Sequence, residues 1–175
     1  LTVTTIAPTG TISIIANDCS SGIEPLFAVN YIREGLEGNK LFETNKQFGD
    51  IAKKKKFYSN ELMYQVAKSG SVQNIKDIPD DVKKIFVTAL DIHPIWHIKM
   101  QAAFQRYVDN GVSKTVNIPT NASKEFVKRS YLLAYKLKCK GVTVFRYGSK
   151  GKQVLYFEDD RGIEIGKCQG SECGN

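Results

Sequence analysis

The chain has 175 residues, of which 42% are hydrophobic and 25% are charged, and its formal net charge at pH 7 is +7. This size and composition fit one globular domain with a sizeable core. No apolar run reaches the roughly 20 residues that a membrane-spanning helix needs, which excludes such a segment from this sequence. The four cysteines do not form the dense framework of a small secreted protein, which favours a cytoplasmic location.

The chain begins with a strand-like run over residues 1–6, a turn, and a short apolar stretch over residues 12–16. This order predicts an anion cradle, because the first N–H groups of a helix are unpaired and carry partial positive charge. Gly10 allows close approach to the backbone, and the hydroxyls add donors. An ordinary Thr- and Gly-rich turn is the alternative. The candidate phosphate-binding residues are Ala7, Pro8, Thr9, Gly10, Thr11, Ile12 and Ser13.

Composition and capping residues predict the further elements. Strands are predicted over residues 2–6, 28–33, 113–117, 141–145 and 153–157. Helices are predicted over residues 44–54, 59–69, 80–89, 95–110 and 123–138. Ser59 and Ser123 are the predicted N-caps, and Gly70 and Gly111 stand where helices should end.

The order helix, strand, helix, strand from residue 95 onwards predicts βαβ crossovers and a mainly parallel sheet. The predicted fold class is therefore mixed α/β. One face of the last helix is predicted to meet the core, and its residues are Val127, Tyr131, Ala134 and Leu137.

The block of four lysines at residues 53–56 has two interpretations. It could bind an anionic partner such as nucleotide or nucleic acid. It could instead be a solvated helix end, which is favoured because the block is short and lacks interleaved aromatic residues.

His93 and His97 are spaced as if on one helical face, which raises a metal site as a hypothesis. A third ligand is missing, and Pro94 follows the first histidine where metal-binding helices usually carry glutamate. The favoured interpretation is that both lie at a helix N-terminus beside Trp96, with Pro94 in the first turn.

The cysteines differ in their surroundings. Cys139 precedes a buried strand and is predicted to be a small core residue. Cys19 lies before a Ser-Ser-Gly turn, and nothing beside it except a helix end would lower its pKa. Cys168 and Cys173 lie in a polar, Gly-rich segment predicted to be a mobile tail. The pair could be a redox dithiol, half of a zinc site, or incidental.

Several motifs, in order along the chain, carry a resemblance to a known family. They are Ala-Pro-Thr-Gly-Thr-Ile-Ser at residues 7–13, Cys-Ser-Ser-Gly-Ile-Glu-Pro at residues 19–25, and the runs 97–105, 107–110, 112–119 and 139–144. Together they resemble the C-terminal part of the adenosylcobalamin-dependent (class II) ribonucleotide reductases. The resemblance covers nearly the whole chain, with residues 30–90 matching only loosely.

The resemblance implies a ten-stranded α/β barrel, with residues 1–157 as part of it and residues 158–175 as a flexible redox tail. It implies reduction of ribonucleotides to 2′-deoxyribonucleotides by thiyl-radical chemistry that adenosylcobalamin initiates. Residues 7–13 would bind the substrate phosphates, and Cys168 and Cys173 would relay electrons from a thioredoxin- or glutaredoxin-type reductant.

In this family the radical cysteine lies upstream, so we interpret the chain as a fragment that is inactive alone and carries no catalytic residue and no metal ligand. Its expected partners are a ribonucleotide, the reductant and the remainder of the reductase chain, with neither a membrane nor nucleic acid. The alternative is a non-catalytic basic domain that binds nucleotide or nucleic acid.

Overall fold

The computed structural model describes residues 1–16, 20–34, 40–149 and 155–156. These form two compact units. The described part of the first unit comprises residues 1–16, 20–24 and 92–149, and that of the second comprises residues 25–34, 40–91 and 155–156. The predicted division into a barrel portion over 1–157 and a tail over 158–175 stays a prediction, and the tail lies outside the described residues.

Eleven elements are described in chain order. They are α1 (Gly10–Ala16), β1 (Asn30–Glu34), β2 (Lys40–Thr44), α2 (Lys46–Lys54), α3 (Asn60–Ser69), α4 (Asp80–Ile85), α5 (Pro94–Gln105), β3 (Thr115–Ile118), α6 (Lys124–Lys136), β4 (Thr143–Arg146) and β5 (Leu155–Tyr156). The longest of these helices has 13 residues, and none is long and apolar enough to span a bilayer.

The helix ends follow their capping residues. The side chains of Ser59 and Ser123 accept the N–H of Leu62 and of Phe126, each at 3.1 Å, so both predicted N-caps are confirmed. Gly70 ends α3 in the left-handed conformation with φ of 67°, as predicted.

The first unit contains the predicted parallel pair. β3 and β4 run parallel, with Thr115 opposite Thr143, and α6 makes the crossover between them. The predicted strand over residues 2–6 is reduced to one parallel bridge, between Ile6 and Val112. The core of this unit is formed by Ile98, Val116, Ile118, Phe126 and Ala134. On α6, Tyr131 is exposed, so its predicted core position was wrong.

The helix that was predicted to reach residue 110 ends at Gln105. The Gln105 amide donates to the carbonyl of Asn110 at 2.7 Å, and the N–H of Asn110 donates to the carbonyl of Thr4 at 3.0 Å. The chain therefore leaves the helix before Asp109 and Asn110, which bind the N-terminal segment. This long-range pairing has no local sequence signal.

Helix α5 buries a row of polar side chains beside its apolar core residues Ile98 and Ala102, and exposes a row of large apolar side chains. His97, Gln101 and Gln105 recur at intervals of four residues and are all buried. The Gln101 amide donates to the carbonyls of Val112, at 3.0 Å, and Gly141, at 2.7 Å. The adjacent row of Trp96, Met100 and Phe104 is exposed. The buried amides thus tie the loops before β3 and β4 to this helix.

The second unit has a three-stranded antiparallel sheet in the order β2-β1-β5, which the sequence did not predict. Thr44 pairs with Asn30 as the last residue of β2, and Asn45 caps α2, so that helix begins at Lys46 rather than at residue 44. Helix α4 ends at Ile85 rather than at residue 89. The core residues are Val29, Phe48, Leu62, Val66, Val72, Ile78, Val82 and Phe86.

Asp109 fastens the start of the chain to the loop before β3. Its Oδ2 accepts the N–H of Val3 at 3.0 Å, and the N–H and hydroxyl of Thr4 at 3.1 and 2.9 Å. The N–H of Val3 is the main cause that lowers the pKa of Asp109 below its ordinary value of 3.8, followed by the Thr4 hydroxyl.

We expect Asp109→Ala to free the amides of Val3 and Thr4, so that they exchange hydrogen at nearly the rate of an unstructured peptide. In the parent the same protection should be present above pH 3.8 and be lost as the pH falls through the lowered pKa, because the carboxylate must be charged to hold both amides. Hydrogen exchange, corrected for the intrinsic rate at each pH, measures both effects. Retained protection in the alanine variant would contradict this role.

Candidate functional site

The candidate site begins where the N-terminal segment turns into α1. Thr9 has φ of 54°, a left-handed conformation that costs a residue other than glycine roughly 1 kcal/mol or more. The first bond of the helical turn joins the Ser13 N–H to the Thr9 carbonyl at 3.0 Å. The N–H groups of Gly10, Thr11 and Ile12 precede that bond, and these three residues are exposed.

A second turn supports this loop from one side. The N–H of Glu24 donates to the carbonyl of Ser21 at 2.9 Å, and Gly22 within that turn has φ of 56°. The Gly22 N–H donates to the hydroxyl oxygen of Thr9 at 2.7 Å. The Ser21 and Ser13 hydroxyls lie 3.0 Å apart. These contacts hold Thr9 in its left-handed conformation.

The glycine that the loop requires is Gly22, not Gly10. A Cβ on Gly22 would lie 2.9 Å from the carbonyl oxygen of Ala7, and its φ is positive. Among the described residues, and apart from the neighbouring backbone of its own helix, a Cβ on Gly10 would meet no atom within 4 Å, and Gly10 is not in the left-handed region. The approach of a ligand to Gly10 stays a prediction, and the close contact of Gly22 with the Ala7 carbonyl was missed.

A buried ion pair involves Glu24, the last residue of the same turn. Lys114 is 3% exposed and forms a salt bridge with Glu24. Its ammonium also contacts Nδ1 of His97 at 2.8 Å and donates to the carbonyl of Thr115 at 2.6 Å. The other Glu24 oxygen accepts the Thr115 N–H. Burial lowers the pKa of Lys114, and Glu24 opposes that shift.

The two histidines have separate roles. His93 caps α5 by accepting the Ile95 N–H at 3.3 Å, and Pro94 begins that helix as predicted. His97 is buried against Lys114, while Trp96 is exposed. In the part of the chain that the structure describes, no three histidine, cysteine or acidic side chains gather as metal ligands.

One of the four cysteines, Cys139, is among the residues that the structure describes. Cys139 packs against the core of the first unit, as predicted, and burial raises the pKa of its thiol. Cys19, Cys168 and Cys173 lie outside the described residues. The lysine block lies exposed at the end of α2, where Lys55 pairs with Asp81 and the Lys53 ammonium lies 5.2 Å from the ring centre of Tyr58.

Sequence reasoning missed the Glu24–Lys114–His97 cluster. All three residues were within motifs of the family resemblance, and His97 was considered only as a metal ligand. Their contact was not predicted, because 90 residues separate Glu24 from Lys114. The one local signal is a lysine directly before a buried strand. A charge at such a position needs a partner, which could have prompted a search for an acidic residue.

The fold and the loop define an α/β protein with an exposed helix start after its first extended segment. The sequence model described as the ribonucleotide reductase barrel domain matches residues 1–145. The chain belongs to the ribonucleotide reductase barrel-domain family, and the predicted fold class is confirmed.

Individual relatives agree with this assignment. The chain is 54% identical over 154 residues to the vitamin B12-dependent ribonucleoside-diphosphate reductase of Thermoplasma acidophilum, covering 88% of this chain and 20% of that protein. It is 42% identical over 178 residues to the protein of the same name from Mycobacterium tuberculosis strain H37Rv, covering 98% and 25%.

A solved structure shares the fold. The class Id ribonucleotide reductase alpha subunit of Actinobacillus ureae matches with a TM-score of 0.68 at 22% identity, covering 81% of this chain and 26% of that one. The chain therefore spans about a fifth to a quarter of the length of these three proteins.

Proposed function

We propose that this chain is part of a cobalamin-dependent ribonucleotide reductase and that residues 7–13 hold the phosphates of its substrate. The carrying observation is the start of α1, where three successive exposed N–H groups precede the first helical bond. A phosphate accepting from these groups would be stabilised by charge-assisted hydrogen bonds and by the partial positive charge of the helix end. The names of the relatives point to a ribonucleoside diphosphate as the substrate.

Within the loop, some side chains support its conformation and one would contact the phosphate. The Ser13 hydroxyl donates to the Gly10 carbonyl at 2.8 Å, and the Thr9 hydroxyl oxygen is held by Gly22, so both support the loop. Thr11 is exposed beside the N–H groups and would donate its hydroxyl to a phosphate oxygen.

Adenosylcobalamin would supply the initiating radical when it is bound to the whole enzyme. The one cysteine that the structure describes is Cys139, whose raised pKa and packing do not suit a thiol that reacts with the cofactor. Cys139 thus does not fit the role of the radical cysteine, and we assign that role, together with the binding of the cofactor, to the remainder of the reductase chain.

We also propose that Cys168 and Cys173 form the dithiol that returns electrons to the active site, with a thioredoxin- or glutaredoxin-type protein as the reductant. Their spacing and the family resemblance support this role. A relay of this kind operates in a reducing compartment, in keeping with the predicted cytoplasmic location.

The non-catalytic basic domain is not favoured. The family match covers residues 1–145, and the lysine block, which prompted that hypothesis, lies at a helix end with Lys55 paired to Asp81.

The phosphate site is tested by Thr11→Val in the complete reductase. Valine keeps the shape but removes one hydrogen bond to a charged group, worth about 1.5–3 kcal/mol. We expect the affinity for a ribonucleoside diphosphate, measured by equilibrium titration, to fall roughly ten- to a hundredfold. Thr2→Val, an exposed threonine at the other end of the same segment, is the matched control and should bind like the parent. Equal affinities in the two variants would exclude a phosphate contact by Thr11.

A further inference from the structure

The ammonium of Lys114 has three donors, and each meets an acceptor inside the first unit. The acceptors are a Glu24 carboxylate oxygen, the Thr115 carbonyl at 2.6 Å and Nδ1 of His97 at 2.8 Å. Because an ammonium has no lone pair, His97 must accept at Nδ1, which places the proton of the neutral ring on Nε2. All contacts of the ammonium are therefore directional, and its position is fixed.

Glu24 connects Lys114 to the turn over residues 21–24. One oxygen binds Lys114 and the other accepts the Thr115 N–H, so the carboxylate is held at both ends against the start of β3. The Glu24 N–H closes the turn onto Ser21 at 2.9 Å. A shift of the carboxylate would therefore move the whole turn from residue 21 to residue 24.

The turn over residues 21–24 contacts the loop over residues 7–13 at three points. Gly22 donates to the Thr9 hydroxyl oxygen at 2.7 Å, the Ser21 and Ser13 hydroxyls are 3.0 Å apart, and the Gly22 backbone lies too close to the Ala7 carbonyl to admit a side chain. Thr9 is the residue in the left-handed conformation, so its placement depends on these contacts.

We propose that Lys114 is a positioning residue that, acting through Glu24 and the turn over residues 21–24, sets the place of the phosphate-binding loop. This inference rests on the proposed function of residues 7–13. Lys114 itself does not contact the phosphate. Its effect is to keep the N–H groups of α1 in the arrangement that a phosphate requires, and misplacement of such donors by about 1 Å can cost up to a hundredfold.

The test compares two ligands on the complete reductase, a ribonucleoside diphosphate and the same nucleoside without phosphates. Lys114→Met keeps an unbranched side chain that is one atom shorter and removes the ammonium. We expect it to weaken diphosphate binding by about ten- to a hundredfold and to leave nucleoside binding unchanged. Glu24→Gln keeps the size, loses the charge, and should give a smaller loss of the same kind. The double variant should be no worse than Lys114→Met alone.

Gln105→Met is the matched control. It removes another buried polar side chain from the same unit, but one that binds Asn110 and Lys140 rather than the loop. It should lower the melting temperature without changing the ratio of diphosphate to nucleoside affinity.

The outcomes separate the two proposals. The positioning role is overturned if a folded Lys114→Met variant has the parent's ratio of diphosphate to nucleoside affinity. If Lys114→Met does not fold, the same result in Glu24→Gln overturns it. An equal loss for both ligands overturns it as well, since that is a general structural effect. If Gly10→Val also binds diphosphate like the parent, the phosphate site itself is excluded, whereas a loss confined to Gly10→Val leaves that site intact.

Discussion

Gly10→Val in the complete reductase should weaken ribonucleoside diphosphate binding by about a hundredfold or more, beyond the loss in Thr11→Val. Two or more charge-assisted hydrogen bonds would be lost together, each worth about 1.5–3 kcal/mol. The protein itself should tolerate the substitution, because a Cβ at Gly10 meets no atom within 4 Å beyond its own helix in the described part of the chain, and the residue is not left-handed. The new side chain would occupy only the space that the phosphate needs.

Gly49→Val is the matched control for this experiment. Gly49 lies in α2, in the second unit, and a Cβ there also meets nothing within 4 Å. Equilibrium titration gives the affinity, and thermal melting checks that both variants are folded. Parent-like diphosphate binding in a folded Gly10→Val variant would remove residues 7–13 from the substrate site.

Cys168→Ser and Cys173→Ser should each abolish turnover that depends on a thioredoxin-type protein. In a relay, one thiolate attacks the active-site disulfide to form a mixed disulfide, and the second thiol resolves it, so that the pair is oxidised as the active site is reduced. Serine at either position stops this exchange. A small dithiol that reaches the active site directly should partly restore turnover in both variants.

Ser171→Ala, which alters the tail between the two cysteines, is the control and should behave like the parent with both reductants. Steady-state assays with the protein reductant and with the small dithiol, run side by side, measure the difference. Undiminished activity of a serine variant with the protein reductant would mean that the cysteine pair is incidental.

Local features of the fold could be predicted from the sequence. Ser59, Ser123 and Gly70 act at the ends of helices they adjoin, because a cap depends on residues three or four positions away. The parallel pair of β3 and β4 follows from the alternation of strand and helix. The antiparallel sheet of the second unit was missed, since the pairing of β1 with β5 joins residues more than a hundred positions apart and leaves no periodic signal.

The candidate site shows the same limit. The loop over residues 7–13 was predicted because its turn and its helix start are contiguous. Its support was missed because Gly22, Glu24 and Lys114 reach it from two other parts of the chain. The resemblance to a family named the motifs that contain them, but not the contacts that join them.

At two positions of helix α5, the expected tolerance to replacement is the opposite of what hydropathy indicates. A scoring scheme based on hydropathy would treat Gln101→Lys as mild and Trp96→Lys as severe. In this chain Gln101 is 1% exposed and binds two backbone carbonyls, whereas Trp96 is 61% exposed. Variant interpretation and library design for this segment therefore need the three-dimensional contacts, because hydropathy alone misjudges both of these positions.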